Sequence, residues 1–172
     1  MANNWRAIGQ YTSLQELNET STTQHLPLGT TVKAKSIAGA STDTVLGEGE
    51  FIYLLGVAST VAYDFVTFVA ATYQTIRPTA NAVGLGAFAY SANVASQYGW
   101  YQIRGIAEAN VADSFAAAKI PYLTATASVL DDAVVAGDKV YNTLSMSAIG
   151  TPVTGNAYIY CHAPPMVTNE SN

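Results

Sequence analysis

Few side chains in this sequence are equipped for bond making or tight metal binding. Two histidines, His25 and His162, and one cysteine, Cys161, are the only strong nitrogen or sulfur ligands. Imidazole and thiolate serve transition-metal sites and nucleophilic catalysis. Cys161 and His162 are neighbours in an aromatic and β-branched run, so in a strand their side chains point to opposite faces and form no local dyad. Cys161 reads as a buried structural thiol and His162 as a residue on the rim. A lone cysteine also excludes an intrachain disulfide framework and a cysteine-based zinc cluster.

Three carboxylates, Asp131, Asp132 and Asp138, gather around Val134-Val-Ala-Gly-Asp. With turn carbonyls they could hold calcium, but their spacing matches no calcium-loop pattern, and Asp and Gly are what a hairpin turn needs. Gly84-Leu-Gly-Ala-Phe-Ala fits the alanine variant of the dinucleotide fingerprint, with Glu108 downstream. That motif must open a helix inside a βαβ unit, whereas Asn93, Gly99 and an aromatic strand follow here, so a turn or a close-packed strand is the reading. The sequence contains no nucleophile elbow, no paired-histidine zinc motif and no phosphate-binding loop. The expectation is a protein with no catalytic residues, no metal and no cofactor.

Eleven tyrosines and two tryptophans leave one binding chemistry open. Exposed rings on a β-scaffold stack on sugars, and Tyr98, Trp100 and Tyr101 cluster. Aromatic residues are equally strand formers and interface anchors.

The elements that position these residues are short. Turn residues punctuate the chain every eight to twelve positions, and the runs between them have strand length. The strands read from the sequence span 30–35, 50–55, 64–70, 73–77, 87–92, 100–106, 120–128, 139–146 and 157–161. In the 100–106 run, Tyr101, Ile103 and Gly105 face one way and Trp100, Gln102 and Arg104 the other. The Ala-rich stretch Val111 to Lys119, capped by Asp113 and closed by Pro121, is the helix candidate. The segments Gly56 to Phe65 and Gly105 to Phe115 echo each other, either as a duplicated hairpin or as two hairpins with similar turns. The fold class is all-β, a small β-barrel or β-sandwich of short antiparallel strands with an N-terminal arm.

The chain divides into an arm (1–29), a β-domain (30–166) and a polar tail (167–172). In the arm Trp5, Ile8, Tyr11, Leu14 and Leu17 recur every three residues, but Gly9 and a polar run interrupt them, so the arm is expected to order against another surface or to cap a strand.

Apolar residues make up 49% of the 172-residue chain and charged residues only 11%, about half the usual charged share. A surface so poor in charge must be dressed in neutral polar groups or hidden against protein. A net charge of −5, with seven scattered Lys and Arg, offers no stripe for phosphates, so nucleic acid is not an expected partner. The first residues do not read as a secretory signal, and no apolar run approaches the 18 or so residues a membrane helix needs, so no membrane partner is expected.

Tyr98-Gly-Trp-Tyr-Gln-Ile-Arg-Gly-Ile-Ala-Glu-Ala, then Ile120 through the Asp131-Asp-Ala strand end to Val140, then Ala148-Ile-Gly-Thr-Pro-Val-Thr-Gly-Asn-Ala-Tyr-Ile-Tyr make up a pattern covering roughly residues 50 to 163. In that pattern the chain resembles the head decoration, or cement, proteins of tailed bacteriophages. The resemblance implies a small β-barrel or β-sandwich, a homotrimer and a virion structural role on the outer capsid surface, where the partner is the major capsid protein. It implies synthesis in the host cytoplasm and brings no enzymatic residues. Trp5, Ile8 and Tyr11 are the expected capsid or subunit contacts. The alternative is a carbohydrate-binding β-module on a virion or cell surface.

Overall fold

The computed structural model describes residues 5–8, 14–37 and 46–170, and every regular element among them is a β-strand. In chain order these are β1 (Trp5–Ile8), β2 (Thr31–Ser36), β3 (Glu48–Leu55), β4 (Phe65–Phe68), β5 (Thr75–Ile76), β6 (Gly84–Ala89), β7 (Tyr98–Asn110), β8 (Tyr122–Leu123), β9 (Leu130–Asp131), β10 (Tyr141–Ser145) and β11 (Asn156–Val167). One antiparallel sheet runs in the order β1-β2-β3-β7-β11-β6-β4-β5, β10 adds to β11, and β8 with β9 makes a separate ribbon. The all-β expectation holds, and the large sheet curls into a half-barrel.

The curl comes from two long strands that change partners along their length. The first half of β7 lies between β3 and β6, whereas its second half pairs with β11. The far end of β11 then returns to β6, so β6, β7 and β11 are mutually paired. At the change-over Gly105 takes φ +88°, and the β3–β7 register slips between Glu50 and Phe51. Only glycine adopts that backbone conformation cheaply. Gln102 spans the slip: its Nε2 donates to the carbonyls of Arg104 at 3.0 Å and Ile106 at 3.1 Å.

Alternation within the central strands fills two cores rather than one core and one wet face. On β3, Phe51 and Tyr53 pack with Trp5, Leu17, Leu26, Val32 and Trp100, while Ile52 and Leu54 pack with Val66, Phe68, Tyr101 and Ile103. A third cluster joins Phe65, Phe88 and Phe115 to the small residues Ala107, Ala109 and Ala157. Tyr101 and Ile103 share a face, as the alternation predicts.

The first 29 residues, where described, are fastened to this chain's own sheet. β1 pairs with β2, Trp5 lies edge-on to Phe51 at 5.4 Å between ring centres, and Leu17 and Leu26 are buried beside them. At the other end Val167 is buried in β11, so the polar tail begins later than residue 167.

The Val111–Lys119 helix does not form. Val111 bridges to Leu130, the Ala112 amide donates to the Leu130 carbonyl, and the Ala118 amide donates to the Ser145 carbonyl. Ser114 and Ala118 take positive φ, and Phe115 is buried in the third cluster. Long-range backbone pairing and one aromatic anchor override the local preference of alanine. Expected strands 64–70, 73–77 and 120–128 shorten to the two or four residues that find partners, and β1 and β9 are strands the sequence reading did not propose. The echo is not a duplicated hairpin, since Gly56 follows the end of β3 while Gly105 lies inside β7.

Candidate functional site

Charge is scarce on this protein, and over half of its cations meet on one sheet surface. Cross-strand register places Arg6 opposite Lys35 and Lys35 opposite Glu48, and in the next row Ile8 opposite Lys33, Lys33 opposite Glu50, and Glu50 opposite Arg104. Paired residues across a sheet share a face. Arg6, Lys33, Lys35 and Arg104 are four of the seven Lys and Arg of the whole chain. Lys35 Nζ lies 3.3 Å from Glu48 Oε1, Arg104 Nη1 is 3.9 Å from Glu50 Oε2, and Arg104 Nη2 donates to the His162 carbonyl at 3.1 Å. Lys33 makes no ion pair with any described residue.

Beside these rows a cleft of about 370 Å³ opens between β2, β3, β7 and β11, and Lys33, Glu48, Glu50, Arg104, Tyr160 and His162 are among the residues that line it. Two glycines are part of its lining. A Cβ on Gly105 would stand 2.4 Å from the Glu48 carbonyl oxygen and 3.0 Å from the Gly49 Cα, and a Cβ on Gly49 would stand 2.9 Å from the Trp5 ring. The strands therefore approach backbone to backbone, and the Trp5 ring packs against Gly49.

The residues singled out by type fall in several places. Cys161 is buried and His162 exposed, on opposite faces as the strand alternation requires. Burial pushes the Cys161 thiol well above its usual range, which leaves it protonated and inert. His25 lies far along the chain and shares a hydrogen bond with Ser21 Oγ at 3.1 Å. Asp138 is buried and accepts the Asn81 amide hydrogen bond, while Asp131, at the end of β9, accepts from the Asp132 amide at 2.8 Å; β9 pairs with β8 and β10 with β11, so the segment between them is not the hairpin turn expected. Gly84 opens strand β6, not a helix.

Of the three expected interface residues, Trp5 is 7% exposed and belongs to the chain's own core. Ile8 is 53% exposed and lies in the charged row beside Lys33. Tyr11 lies outside the described residues. The sugar platform suggested by Tyr98, Trp100 and Tyr101 is not available, because Trp100 and Tyr101 have no exposed surface. The ring beside the cleft is Tyr160, 42% exposed.

Two buried carboxylates lie elsewhere. Asp64 accepts from Arg77 Nε at 3.0 Å, Asn110 Nδ2 at 2.9 Å and the Val61 amide at 3.1 Å, which makes it a structural anchor. Glu108, across β7–β11 from Tyr158, accepts from Asn156 Nδ2 at 2.7 Å. Burial pushes its carboxyl above the usual glutamate range, and the Asn156 hydrogen bond pulls the other way.

No family model, curated protein or solved structure matches the chain.

The sequence reading did not single out Lys33, Glu50 or Arg104. The signal was present in the alternation of Thr31-Val-Lys-Ala-Lys-Ser and of Glu48-Gly-Glu, which sends the charges of both strands to one face each.

A second surface is apolar. The Asn81 to Asp138 hydrogen bond sets the 133–137 turn beside the start of β6, and Gly137 lies against Asn169 just past β11. These neighbouring segments carry the exposed side chains Val83, Leu85, Val134, Val135 and Met166, with Val134 81% and Val83 64% exposed. Leu85 and Met166 are direct cross-strand partners.

Proposed function

We propose that the chain is a virion structural protein that decorates the outer surface of a phage capsid, acting as a homotrimer bound to the major capsid protein. The apolar end carries this reading: five exposed apolar side chains lie on neighbouring segments of a protein with little charge to keep them apart from other protein. The cement-protein resemblance of residues 50 to 163 supports it. The action is mass action, since a protein that binds only the assembled, expanded shell stabilises that state by its differential affinity, with no enzymatic step. A closed ring of three copies satisfies apolar surface without leaving an open growing end.

The test is co-sedimentation of purified chain with expanded heads of the encoding phage, beside light scattering on the free chain. Binding is expected for the natural chain, together with a mass near three times 18.1 kDa. Val83→Asp with Val134→Asp, at exposed turn positions, is expected to abolish pelleting. Equal pelleting of the double variant would overturn the apolar-end contact. Failure of the natural chain to pellet would overturn the decoration role.

A further inference from the structure

We infer that the cleft between β2, β3, β7 and β11 binds a carboxylated sugar. Charge counting gives the ligand its sign. Glu48 is matched by Lys35 at 3.3 Å and Glu50 by Arg104 at 3.9 Å, which leaves Arg6 and Lys33 in excess on the charged rows, and of these two Lys33 lines the cleft. A single uncompensated ammonium at the mouth of a cleft recruits one anionic group.

The rest of the lining argues against a bare anion. Tyr160 lines the cleft and is 42% exposed, and sugar rings present their C–H faces to aromatic rings. Glu50 has acceptor capacity left over, since its one ion pair with Arg104 is loose, and a carboxylate accepts from hydroxyl groups. His162 supplies a group able to donate or accept, its backbone carbonyl already holding Arg104 in place. Cation, ring, acceptor and imidazole around about 370 Å³ match a monosaccharide unit bearing one carboxylate.

The cleft lies on the charged rows, and the apolar end is built from other residues, so this inference does not depend on decoration. A surface sugar of a cell or a free uronate would present the same unit. Binding of methyl β-D-glucuronide, methyl β-D-glucoside and sodium acetate to the full chain, followed by chemical-shift titration, tests it. A dissociation constant of about 1 mM is expected for the glucuronide, with the glucoside about tenfold weaker and acetate weaker still. Lys33→Gln should erase the preference for glucuronide over glucoside. Tyr160→Ser should weaken both sugars about tenfold, and Tyr160→Phe should retain them, because stacking needs only the ring. Both positions are exposed, so the variants keep the fold. Acetate binding as well as the glucuronide, an unchanged preference in Lys33→Gln, or no saturable shift with any of the three would overturn the inference. Glucuronide oligomers binding no more tightly than the monosaccharide would assign the cleft to a free uronate, and a gain with length to a surface polysaccharide.

Discussion

The Tyr53 hydroxyl donates to Gln15 Oε1 at 2.6 Å inside the protein, joining the middle of the sheet to a segment 38 residues earlier. Gln15 also donates through Nε2 to the Tyr98 carbonyl at 2.9 Å, and its own carbonyl accepts from Trp100 Nε1 at 3.2 Å. One glutamine thus ties the N-terminal segment to β3 and β7 together. Removing one partner of a buried hydrogen bond leaves the other desolvated and unpaired, at a cost of about 1–3 kcal/mol. Gln15→Ala should lower the melting temperature by several degrees and Tyr53→Phe by less, since the phenylalanine strands Gln15 Oε1 and the His25 amide, the latter held only at 3.4 Å, whereas Gln15→Ala strands the Tyr53 hydroxyl and removes the bonds to the Tyr98 and Glu19 carbonyls. Equal melting of Gln15→Ala and the natural chain would show that the segment is not held by this network.

Trp5 makes a sharper case. Its ring fills the cluster with Phe51, Val32 and Trp100, and truncating a buried aromatic to alanine costs about 3–5 kcal/mol. Trp5→Ala and deletion of residues 1 to 24 should both broaden and lower the thermal transition seen by circular dichroism. A truncated chain that melts like the full one would make this strand a dispensable arm.

How far these features were legible depends on how local their causes are. Alternation in Trp100-Tyr-Gln-Ile identified β7 and its opposed faces, and the Cys161–His162 opposition followed from strand geometry alone. The Val111 to Lys119 stretch misled because alanine and Asp113 are local signals, while the partners that decide its shape, Leu130 and Ser145, are distant in sequence. Trp5 and Leu17 recur at a spacing that suits a helical face, yet what orders them is the β3 and β7 surface they cover. The charged rows required the register of four strands, which no single segment encodes. The cleft required in addition that Gly49 and Gly105 meet across β3 and β7.

That meeting yields a paired prediction. Gly105 takes φ +88° with a Cβ position 2.4 Å from a backbone oxygen, whereas Gly150 takes φ +94° with nothing within 4 Å. Alanine at Gly150 meets only the backbone penalty of a left-handed residue, about 1–2 kcal/mol. Alanine at Gly105 meets that penalty and a clash between two strands, so its loss in chemical denaturation should exceed the Gly150→Ala loss by about 1 kcal/mol or more. Equal losses would mean that the β3–β7 approach is looser than described.

Glu108 gives the last prediction, and its direction follows from burial. The folded state holds the carboxyl pKa above its usual value, so the native protein binds this proton more readily than the unfolded chain. Protonation at Glu108 therefore stabilises the fold at low pH, and that contribution is lost as pH rises through the raised folded-state pKa, leaving a desolvated charge at neutrality. Gln keeps the size and an oxygen that accepts from Asn156 Nδ2, but carries no charge to desolvate. Glu108→Gln should thus raise the melting temperature at pH 7, and the gain should shrink as pH falls toward the ordinary glutamate range near about 4.3. Glu108→Ala removes the acceptor as well, strands the Asn156 amide and should cost about 1–3 kcal/mol at every pH. Melting curves of the three proteins between neutral and acidic pH check the sign. A Gln variant less stable than the natural chain at pH 7, with the deficit closing on acidification, would mean that hydrogen bonding to the carboxylate outweighs its desolvation.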